Sequence, residues 1–193
     1  MTKSIGLTGS MGSGKSLIAR VFQELGAEVF YADIEAKKLY EDDDFLEEIR
    51  KEFGDIVVRD NKLNRAELAN IVFNNRERLE KLNSMVHPKV LENYNIWLKS
   101  RNTKYVIHES AILFESGWAK SFDKIICIDT PEDIIIERVM LRDNITQEEV
   151  RQRLRNQMPI KEKKELSDYI IKHDNKIMLL PQIIEIHKEL INK

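Results

Sequence analysis

The most informative stretch of the chain is residues 9–16, which read Gly9-Ser10-Met11-Gly12-Ser13-Gly14-Lys15-Ser16. They match G-x-x-x-x-G-K-[ST], the pattern of a loop that binds phosphate through its backbone amides. Apolar residues at 4–8 predict a buried strand before the loop, and apolar residues at helical spacing over 15–25 predict a helix after it. The pattern therefore lies in the strand-to-helix context of a phosphate-binding loop, or P-loop.

The fixed positions of this pattern have physical roles in holding phosphate. Glycines let the backbone approach the anion without a Cβ, and the helix N-terminus adds a favourable dipole. Lys15 is expected to be partly exposed and to reach the β- and γ-phosphate oxygens, while the Ser16 hydroxyl is expected to bind Mg²⁺. Because the glycines fall at 9, 12 and 14, the dinucleotide pattern G-x-G-x-x-G is absent. The loop therefore predicts a nucleoside triphosphate, rather than NAD, as the ligand.

The sequence around the loop predicts an α/β protein. Gly26 follows the first predicted helix as a terminating glycine would, and residues 27–30 predict a second strand that completes a βαβ unit. Further apolar strands and a closing helix are predicted over 105–107, 124–128, 168–171 and 179–191. We therefore expect a P-loop NTPase fold with a parallel β-sheet core flanked by helices.

Two helical regions are predicted outside the sheet. Over residues 33–100 apolar side chains recur every three or four positions, which predicts a helical insertion, and His87-Pro88 is expected to break its helices because the residue before proline avoids the helical conformation. Helices are predicted over 131–141 and 146–158, and five arginines lie in them or directly after the first: Arg138, Arg142, Arg151, Arg153 and Arg155. They suit a helical lid that closes over phosphate, and a solvated surface paired with Glu148 and Glu149 is the alternative.

The composition excludes several classes of protein. Lysine and arginine total 31 against 33 aspartates and glutamates, so a formal charge of −2 gives no overall attraction to nucleic acid or an anionic membrane. The single cysteine, Cys127, excludes an internal disulfide and fits a reducing compartment. The longest stretch without charged residues or histidine, residues 4–14, is too short and too polar to span a bilayer. We expect a cytoplasmic protein with no nucleic-acid or membrane partner.

Asp33 is the candidate that orients or deprotonates an acceptor hydroxyl. It follows the second predicted strand, at the edge of the sheet where P-loop chemistry takes place. An aspartate directly before residues 34–39 is also a good N-cap for the helix that they predict. The residues alone leave both roles open.

A set of short motifs beyond the loop occurs together in one known enzyme family. The motifs are Ala32-Asp33, His87-Pro88, Ile112-Leu113-Phe114-Glu115, Glu137-Arg138 with Arg142, Arg153 with Gln157, and Asp168-Tyr169-Ile170-Ile171. With the loop they cover residues 5 to about 173 and resemble the dephospho-CoA kinase family. Members of this family phosphorylate the ribose 3′-hydroxyl of dephospho-CoA in the last step of coenzyme A synthesis.

The resemblance implies a division of the chain and a set of roles. Residues 1–32, 101–137 and 159–193 would form the kinase core, 33–100 the helical acceptor domain for the CoA moiety, and 138–158 the lid. The implied ATP-binding residues are Gly9, Met11, Gly12, Ser13, Gly14, Lys15, Ser16, Leu17, Arg138 and Arg142. The implied acceptor-binding residues are Thr8, Asp33, His87, Leu113, Phe114 and Glu115. ATP would be the phosphate donor and Mg²⁺ the metal.

Within these sets the resemblance assigns catalysis to Lys15, Asp33 and Arg142. It places Asp33 at the acceptor hydroxyl and Arg142 at the ATP phosphates. Without the resemblance, Leu113 and Phe114 would be ordinary core residues, and His87 would mark only a helix boundary.

The chain departs from the family pattern in two places. The usual proline before the Leu-Leu-Phe-Glu motif is missing from residues 108–115, where Glu109 is a candidate to hold Mg²⁺ through water, as is Asp129 further along. Residues 172–175, Lys172-His173-Asp174-Asn175, replace a stretch that in the family carries asparagine and ends in glycine. The adenine contacts are therefore unassigned.

Two other functions are consistent with the residues. A different small-molecule kinase, such as a nucleoside monophosphate kinase, would share the loop and the lid, but the long insertion favours a bulky acceptor. A non-enzymatic module that senses ATP is the second alternative, and the presence of both Asp33 and Lys15 argues against it. The sequence gives neither the oligomeric state nor the pantetheine contacts.

Overall fold

The computed structural model describes residues 2–73 and 75–192. The chain divides into two compact units, a core unit of Met1–Tyr31 with Ser100–Lys193 and an inserted unit of Ala32–Lys99. In chain order the elements are β1 (Lys3–Gly9), α1 (Lys15–Glu24), β2 (Glu28–Tyr31), α2 (Ala32–Lys38), α3 (Asp43–Phe53), β3 (Val58–Arg59), β4 (Lys62–Leu63), α4 (Arg65–Phe73), α5 (Arg76–Lys99), β5 (Tyr105–Glu109), β6 (Lys124–Asp129), α6 (Glu132–Asp143), α7 (Gln147–Arg155), α8 (Ile160–Glu165), β7 (Tyr169–Lys172) and α9 (Leu179–Asn192).

The core unit is built on a five-stranded sheet in the order β2-β5-β1-β6-β7. All four strand pairings are parallel, as the sequence predicts. All five residues of β5 are buried, which is the pattern of a parallel strand whose two faces are both covered. In the register of the sheet Leu7 of β1 lies opposite Glu109 on one side and Ile126 on the other. The carboxyl ends of β1 and β5 therefore meet at one edge.

The end of α1 shows how the sequence sets a local boundary. The amide of Ala27 donates to the Phe22 carbonyl at 3.0 Å, and Gly26 between them has φ +93°. This left-handed conformation is inexpensive only for glycine, and the bond across it satisfies a carbonyl at the helix end. The predicted role of Gly26 is confirmed. Ile18, Ala19 and Phe22 form the buried face of the helix.

The inserted unit is packed around apolar faces of its own helices. Asp42 caps α3 by accepting from the Phe45 amide at 2.8 Å, and the buried face of that helix carries Phe45, Leu46, Ile49 and Phe53. Helix α5 buries Val86, Val90 and Tyr94, which are four residues apart and so share one face.

The structure shows local details of the insertion that the sequence pattern does not indicate. Between its helices, β3 and β4 form a small antiparallel hairpin, and the turn residues Asp60 and Asn61 have φ of 50° and 54°. Strands of two residues are too short to show a period of two. Helix α2 begins at Ala32, so Asp33 is the second helical residue and is not the N-cap.

The predicted break at His87-Pro88 is also absent, since α5 runs without interruption through Pro88. A proline inside a helix costs about 3 kcal/mol through its missing N–H and its clash with the preceding turn. Burial of Val86, Val90 and Tyr94 on one continuous face offsets that cost, because breaking the helix would split this face. Tertiary packing therefore overrides the local preference.

Among the described residues, no helix combines the length and the apolar character that crossing a lipid bilayer requires.

Candidate active site

The P-loop lies between β1 and α1, as predicted, and it surrounds the ammonium of Lys15. The Lys15 Nζ donates to the carbonyls of Ser10 at 3.1 Å and Gly9 at 3.3 Å. The residue is only 8% exposed, so the expectation of a partly exposed lysine was wrong. Because the loop folds around the ammonium, the positive charge is held within the loop. Ser16 and Leu17, which follow on the first turn of α1, are exposed.

His173 lies directly against the loop, at the end of β7. Its Nδ1 is 2.8 Å from the Ser13 carbonyl oxygen, which can only accept, so Nδ1 carries the proton of this hydrogen bond. The Nε2 atom is then the acceptor for the Arg138 Nη2, at 3.1 Å. Arg138 Nη2 also donates to the Asn175 side chain at 2.9 Å. The ring of His173 therefore joins the P-loop to an arginine of α6.

The Ser13 carbonyl accepts a second hydrogen bond, from the Thr130 hydroxyl at 3.0 Å. A trans peptide is planar, so its N–H points away from its C=O. Two donors on the Ser13 carbonyl therefore fix the direction of the Gly14 N–H. That amide belongs to the set on which a P-loop depends for phosphate binding.

Gly14 must be glycine for two reasons. Its φ is +95°, and a Cβ there would lie 2.5 Å from His173 Nδ1. The same added Cβ would be 3.7 Å from the Arg138 Nη1, which places the guanidinium beside the loop. Arg138 thus lies beside the loop, and its ATP-binding role stays a prediction.

Helix α6 and the segment after α7 pack against the tip of the loop. A Cβ at Gly12 would lie 2.5 Å from the Val139 Cγ2, and Met11 packs against the apolar cluster that includes Val139. The Met11 amide donates to the Gln157 side chain at 3.0 Å. Residues of the predicted lid therefore contact the P-loop directly.

Two carboxylates stand at the carboxyl ends of the strands that flank β1. Glu109 ends β5 and is buried. Burial of the Tyr31 side chain raises the pKa of Tyr31, and the carboxylate of Glu109 raises it further. Asp129 ends β6 and pairs with the Lys164 ammonium at 2.9 Å. No group of three histidine, cysteine, aspartate or glutamate side chains in residues 2–73 and 75–192 is arranged to hold a metal ion.

The predicted acceptor residues of the core unit have different environments. Leu113 is fully buried and packs against Gly6, where an added Cβ would meet its Cδ1 at 2.5 Å. Its side chain is thus part of the core, which was the alternative for this residue, and Phe114 is half-buried. The Thr8 hydroxyl is buried and has no hydrogen-bond partner among the described residues.

Glu115 is held by a buried lysine. The Lys163 ammonium, which is fully buried, donates to the Ala111 carbonyl at 2.6 Å and pairs with the Glu115 Oε1 at 2.8 Å. The same Glu115 oxygen accepts from the Met158 amide at 2.8 Å. One carboxylate therefore connects the turn after β5 with the end of the predicted lid.

Arg142 is exposed and lies at the end of α6. It forms two hydrogen bonds with Asp143, from Nε at 2.7 Å and from Nη2 at 3.0 Å, and Arg153 adds a third from its Nη1 at 3.0 Å. Hydrogen bonds from Arg142 hold the pKa of Asp143 below its ordinary range. Arg155 pairs with Glu148, which was the alternative for this basic cluster.

The two remaining candidates belong to the inserted unit. The side chain of Asp33 is exposed in the first turn of α2, and no hydrogen bond or ion pair joins it to another described residue of that unit. His87 lies within α5, is half-buried, and has its pKa lowered by burial.

Three contributors to this site were not assigned from the sequence. His173 and Thr130 follow strand ends, which is where ligands bind in parallel α/β sheets, so strand-end position is the signal that points to them. Lys163 gives no such signal, because a lysine inside a short charged helix reads as a surface residue.

Comparison with known proteins shows the family to which the chain belongs. The family model of dephospho-CoA kinase matches residues 3–178. A dephospho-CoA kinase of Bacteroides fragilis is 36% identical, and the match covers 100% of this chain and 95% of that protein. A dephospho-CoA kinase of Listeria innocua is 38% identical, with 92% of this chain and 91% of that protein covered.

Solved structures give the same result. The Thermus thermophilus protein TT1252 has a TM-score of 0.85 at 30% identity, covering 99% of this chain and 97% of its own. A dephospho-CoA kinase from Campylobacter jejuni has a TM-score of 0.70 at 31% identity, covering 100% and 98%. A shikimate kinase from Acinetobacter baumannii, with a TM-score of 0.56 at 19% identity, shares the fold. The resemblance drawn from the sequence is confirmed, and the chain belongs to the dephospho-CoA kinase family.

Proposed function

We propose that this protein is an ATP-dependent kinase that phosphorylates the 3′-hydroxyl of the ribose of dephospho-CoA to give coenzyme A. The observation that carries the proposal is a complete P-loop, with Lys15 enclosed and Arg138 beside it, in a chain of this family. The acceptor is a small molecule, and the buried single cysteine is consistent with a cytoplasmic enzyme.

The core unit supplies the groups that bind and polarise the donor. The loop amides and the helix N-terminus bind the β- and γ-phosphates of ATP, and Lys15 provides a fixed positive charge at their oxygens. This preorganised charge stabilises the charge that spreads over the phosphoryl group in the transition state. Arg138 extends the positive field on the side of α6.

Asp33 acts on the acceptor. Its carboxylate aligns the ribose 3′-hydroxyl and takes its proton as the new O–P bond forms. The bond from the γ-phosphorus to the β–γ bridging oxygen breaks at the same time, and ADP leaves. In this proposal residues 33–100 bind the acceptor, and residues 138–158 act as a lid that brings Arg142 to the phosphates.

The donor atoms at the strand ends fit Mg²⁺. This ion usually takes one or two protein ligands and completes its shell with water and phosphate oxygens. Ser16 would contribute its hydroxyl, and Glu109 would act through water, whereas Asp129 is already paired with Lys164. Bound Mg²⁺ would neutralise charge on the β- and γ-oxygens.

An acceptor panel tests the proposal. The purified chain is incubated with ATP and Mg²⁺ and with dephospho-CoA, AMP, CMP or shikimate, and Lys15→Met serves as the variant without the loop charge. We expect rapid transfer to dephospho-CoA alone and almost none with Lys15→Met. Preferential transfer to AMP or CMP would show a nucleoside monophosphate kinase, and tight ATP binding without any transfer would show a sensing module.

A further inference from the structure

The inserted unit contains a pocket of its own. The pocket has a volume of about 420 Å³ and is formed by the end of α2 with the 3₁₀ turn that follows, the β3–β4 hairpin and the start of α4. Its walls include Lys37, Tyr40, Glu41, Lys62 and Arg65. We call it the Lys37–Arg65 pocket.

The charge of this pocket is unbalanced. Three cationic side chains line it against the single carboxylate of Glu41, which leaves a formal excess of positive charge. None of Lys37, Lys62 and Arg65 forms an ion pair in the described part of the chain. Nearby cations of the same unit behave differently, since Lys38 pairs with Glu35 and Arg50 with Glu47. Positive charge in the lining of the pocket therefore exceeds negative charge, and within the described residues no ion pair holds its three cations.

Tyr40 adds a neutral donor to the same pocket. Its side chain is half-buried, and burial raises the pKa of its hydroxyl above the ordinary value. The hydroxyl therefore keeps its proton at neutral pH and can donate to an anion. Two ammonium groups, a guanidinium and a phenol form a donor set suited to phosphate oxygens.

The position of Lys37 on α2 relates the pocket to the acceptor hydroxyl. Asp33 and Lys37 are four residues apart on this helix, so they share a face and are separated by about 6 Å along its axis. In dephospho-CoA the diphosphate is carried by the 5′ carbon of the ribose whose 3′-hydroxyl is phosphorylated. The diphosphate and the 3′-hydroxyl of dephospho-CoA are therefore separated by the width of one ribose. This distance is similar to the rise of one helical turn, which separates Asp33 from Lys37.

We propose that the Lys37–Arg65 pocket binds the diphosphate of the acceptor nucleotide and so positions its ribose at Asp33. This inference rests on the proposed function. Binding the diphosphate would select acceptors that carry this group on the 5′ carbon over those that present the ribose alone.

The test compares substitutions in the pocket with a matched substitution outside it. Lys37→Met, Lys62→Met and Arg65→Met remove the pocket charges, and Lys51→Met removes another exposed lysine of the same unit that does not line the pocket. kcat and KM are measured with dephospho-CoA and with adenosine, which has the same ribose hydroxyl but no diphosphate. Because all four side chains are exposed, the melting temperatures should stay close to that of the parent chain.

We expect each pocket variant to raise KM for dephospho-CoA by about tenfold, since a charge-assisted hydrogen bond to phosphate is lost. kcat, KM for ATP and all constants with adenosine should stay within about twofold of the parent values, as should every constant of Lys51→Met. Calorimetric titration with dephospho-CoA and with adenosine, without ATP, should show the same loss for dephospho-CoA only.

Two results would overturn the inference while leaving the proposed function intact. The first is that the pocket variants have the same KM for dephospho-CoA as Lys51→Met. The other is an equal loss with dephospho-CoA and adenosine, because the pocket would then not act on the diphosphate. Failure of the parent chain to phosphorylate dephospho-CoA at all would instead refute the proposed function.

Discussion

The two ring nitrogens of His173 make different bonds, and this difference gives the residue two separable effects. Through Nδ1 it fixes the Ser13–Gly14 peptide of the P-loop, and through Nε2 it holds the guanidinium of Arg138. We expect His173 to act as a positioning residue, because it contacts the loop and Arg138, which are the groups proposed to bind the phosphates.

Two substitutions separate these effects. His173→Asn keeps a donor near the Nδ1 position and loses the Nε2 acceptor, whereas His173→Gln keeps an acceptor near Nε2 and loses the Nδ1 donor. We expect His173→Gln to raise KM for ATP by about tenfold, and His173→Asn to lower kcat with a smaller change in that KM. Steady-state kinetics with saturating acceptor measure kcat and the KM for ATP of both variants. Identical changes in the two variants would show a general packing role instead.

Asp33 is the residue at which catalytic and structural roles separate most clearly. Asp33→Asn keeps the shape of the side chain and loses only a favourable charge in the first turn of α2, so stability should change by less than about 1 kcal/mol. The amide accepts no proton, so kcat should fall by about 10²- to 10⁴-fold, with ATP affinity nearly unchanged. kcat, ATP affinity and melting temperature are measured together. A kcat within a few-fold of the parent would place the acceptor base elsewhere.

At the scale of elements, α6 and α7 are joined by charge. Asp143 at the end of α6 accepts from Arg142 of the same helix and from Arg153 of α7. The capping box of Thr146 and Glu149 fixes the start of α7. The arginines of α7 thus lie on a helix with a capped N-terminus, and Arg153 links that helix to the end of α6.

Arg142→Ala tests whether this arrangement serves catalysis. An arginine that meets phosphate on closure acts mostly in the transition state, so we expect kcat to fall by about 10²-fold or more, with a smaller change in ATP affinity. Arg155→Ala is the control, because Arg155 is exposed and pairs with Glu148 on the same lid. Turnover and equilibrium ATP binding are measured for both variants. If the kcat of Arg142→Ala equals that of Arg155→Ala, the arginines of α6 and α7 form only a solvated surface.

At the scale of the whole molecule, one buried group links folding to pH. His108 of β5 is fully buried and lies against the aromatic rings of Phe30, Trp118 and Phe122. Burial lowers the pKa of His108 from 6.5 to about 4. The folded protein therefore keeps the ring neutral at pH values where the unfolded chain already takes up a proton.

This difference predicts a loss of stability in acid. The contribution of His108 is fully present above pH 6.5 and is lost as the pH falls from about 6.5 toward 4, because the proton binds preferentially to the unfolded chain. Between pH 7 and pH 5 the loss should be on the order of 2 kcal/mol. Denaturant unfolding measures the free energy of unfolding at pH 7 and at pH 5. The decrease between the two pH values should be smaller by that amount in His108→Phe than in the parent chain. If the free energy of unfolding of His108→Phe decreases as much as that of the parent chain, His108 does not cause the loss of stability in acid.

Features that depend only on neighbouring residues could be predicted from the amino-acid sequence. The pattern over residues 9–16 contains its own glycines, lysine and hydroxyl, so the P-loop could be predicted without knowledge of any distant residue. Apolar spacing likewise predicted the parallel strands and most helices of the core unit, since a buried strand or helix face repeats every two to four residues. The family followed from several such motifs in order.

Contacts between residues far apart in the sequence could be found only in the folded structure. His173 and Ser13 are 160 residues apart and Thr130 and Ser13 are 117 apart, so no local pattern encodes either hydrogen bond. The Lys15 ammonium is enclosed by carbonyls of its own loop. The buried Lys163 ammonium donates a hydrogen bond to the Ala111 carbonyl and pairs with the Glu115 carboxylate. Pro88 stays inside α5 because a continuous apolar face offsets a local cost. The partners of His173, Thr130 and Lys163 are distant in the sequence, and the burial that keeps Pro88 in its helix depends on tertiary packing, so a local sequence pattern indicates neither.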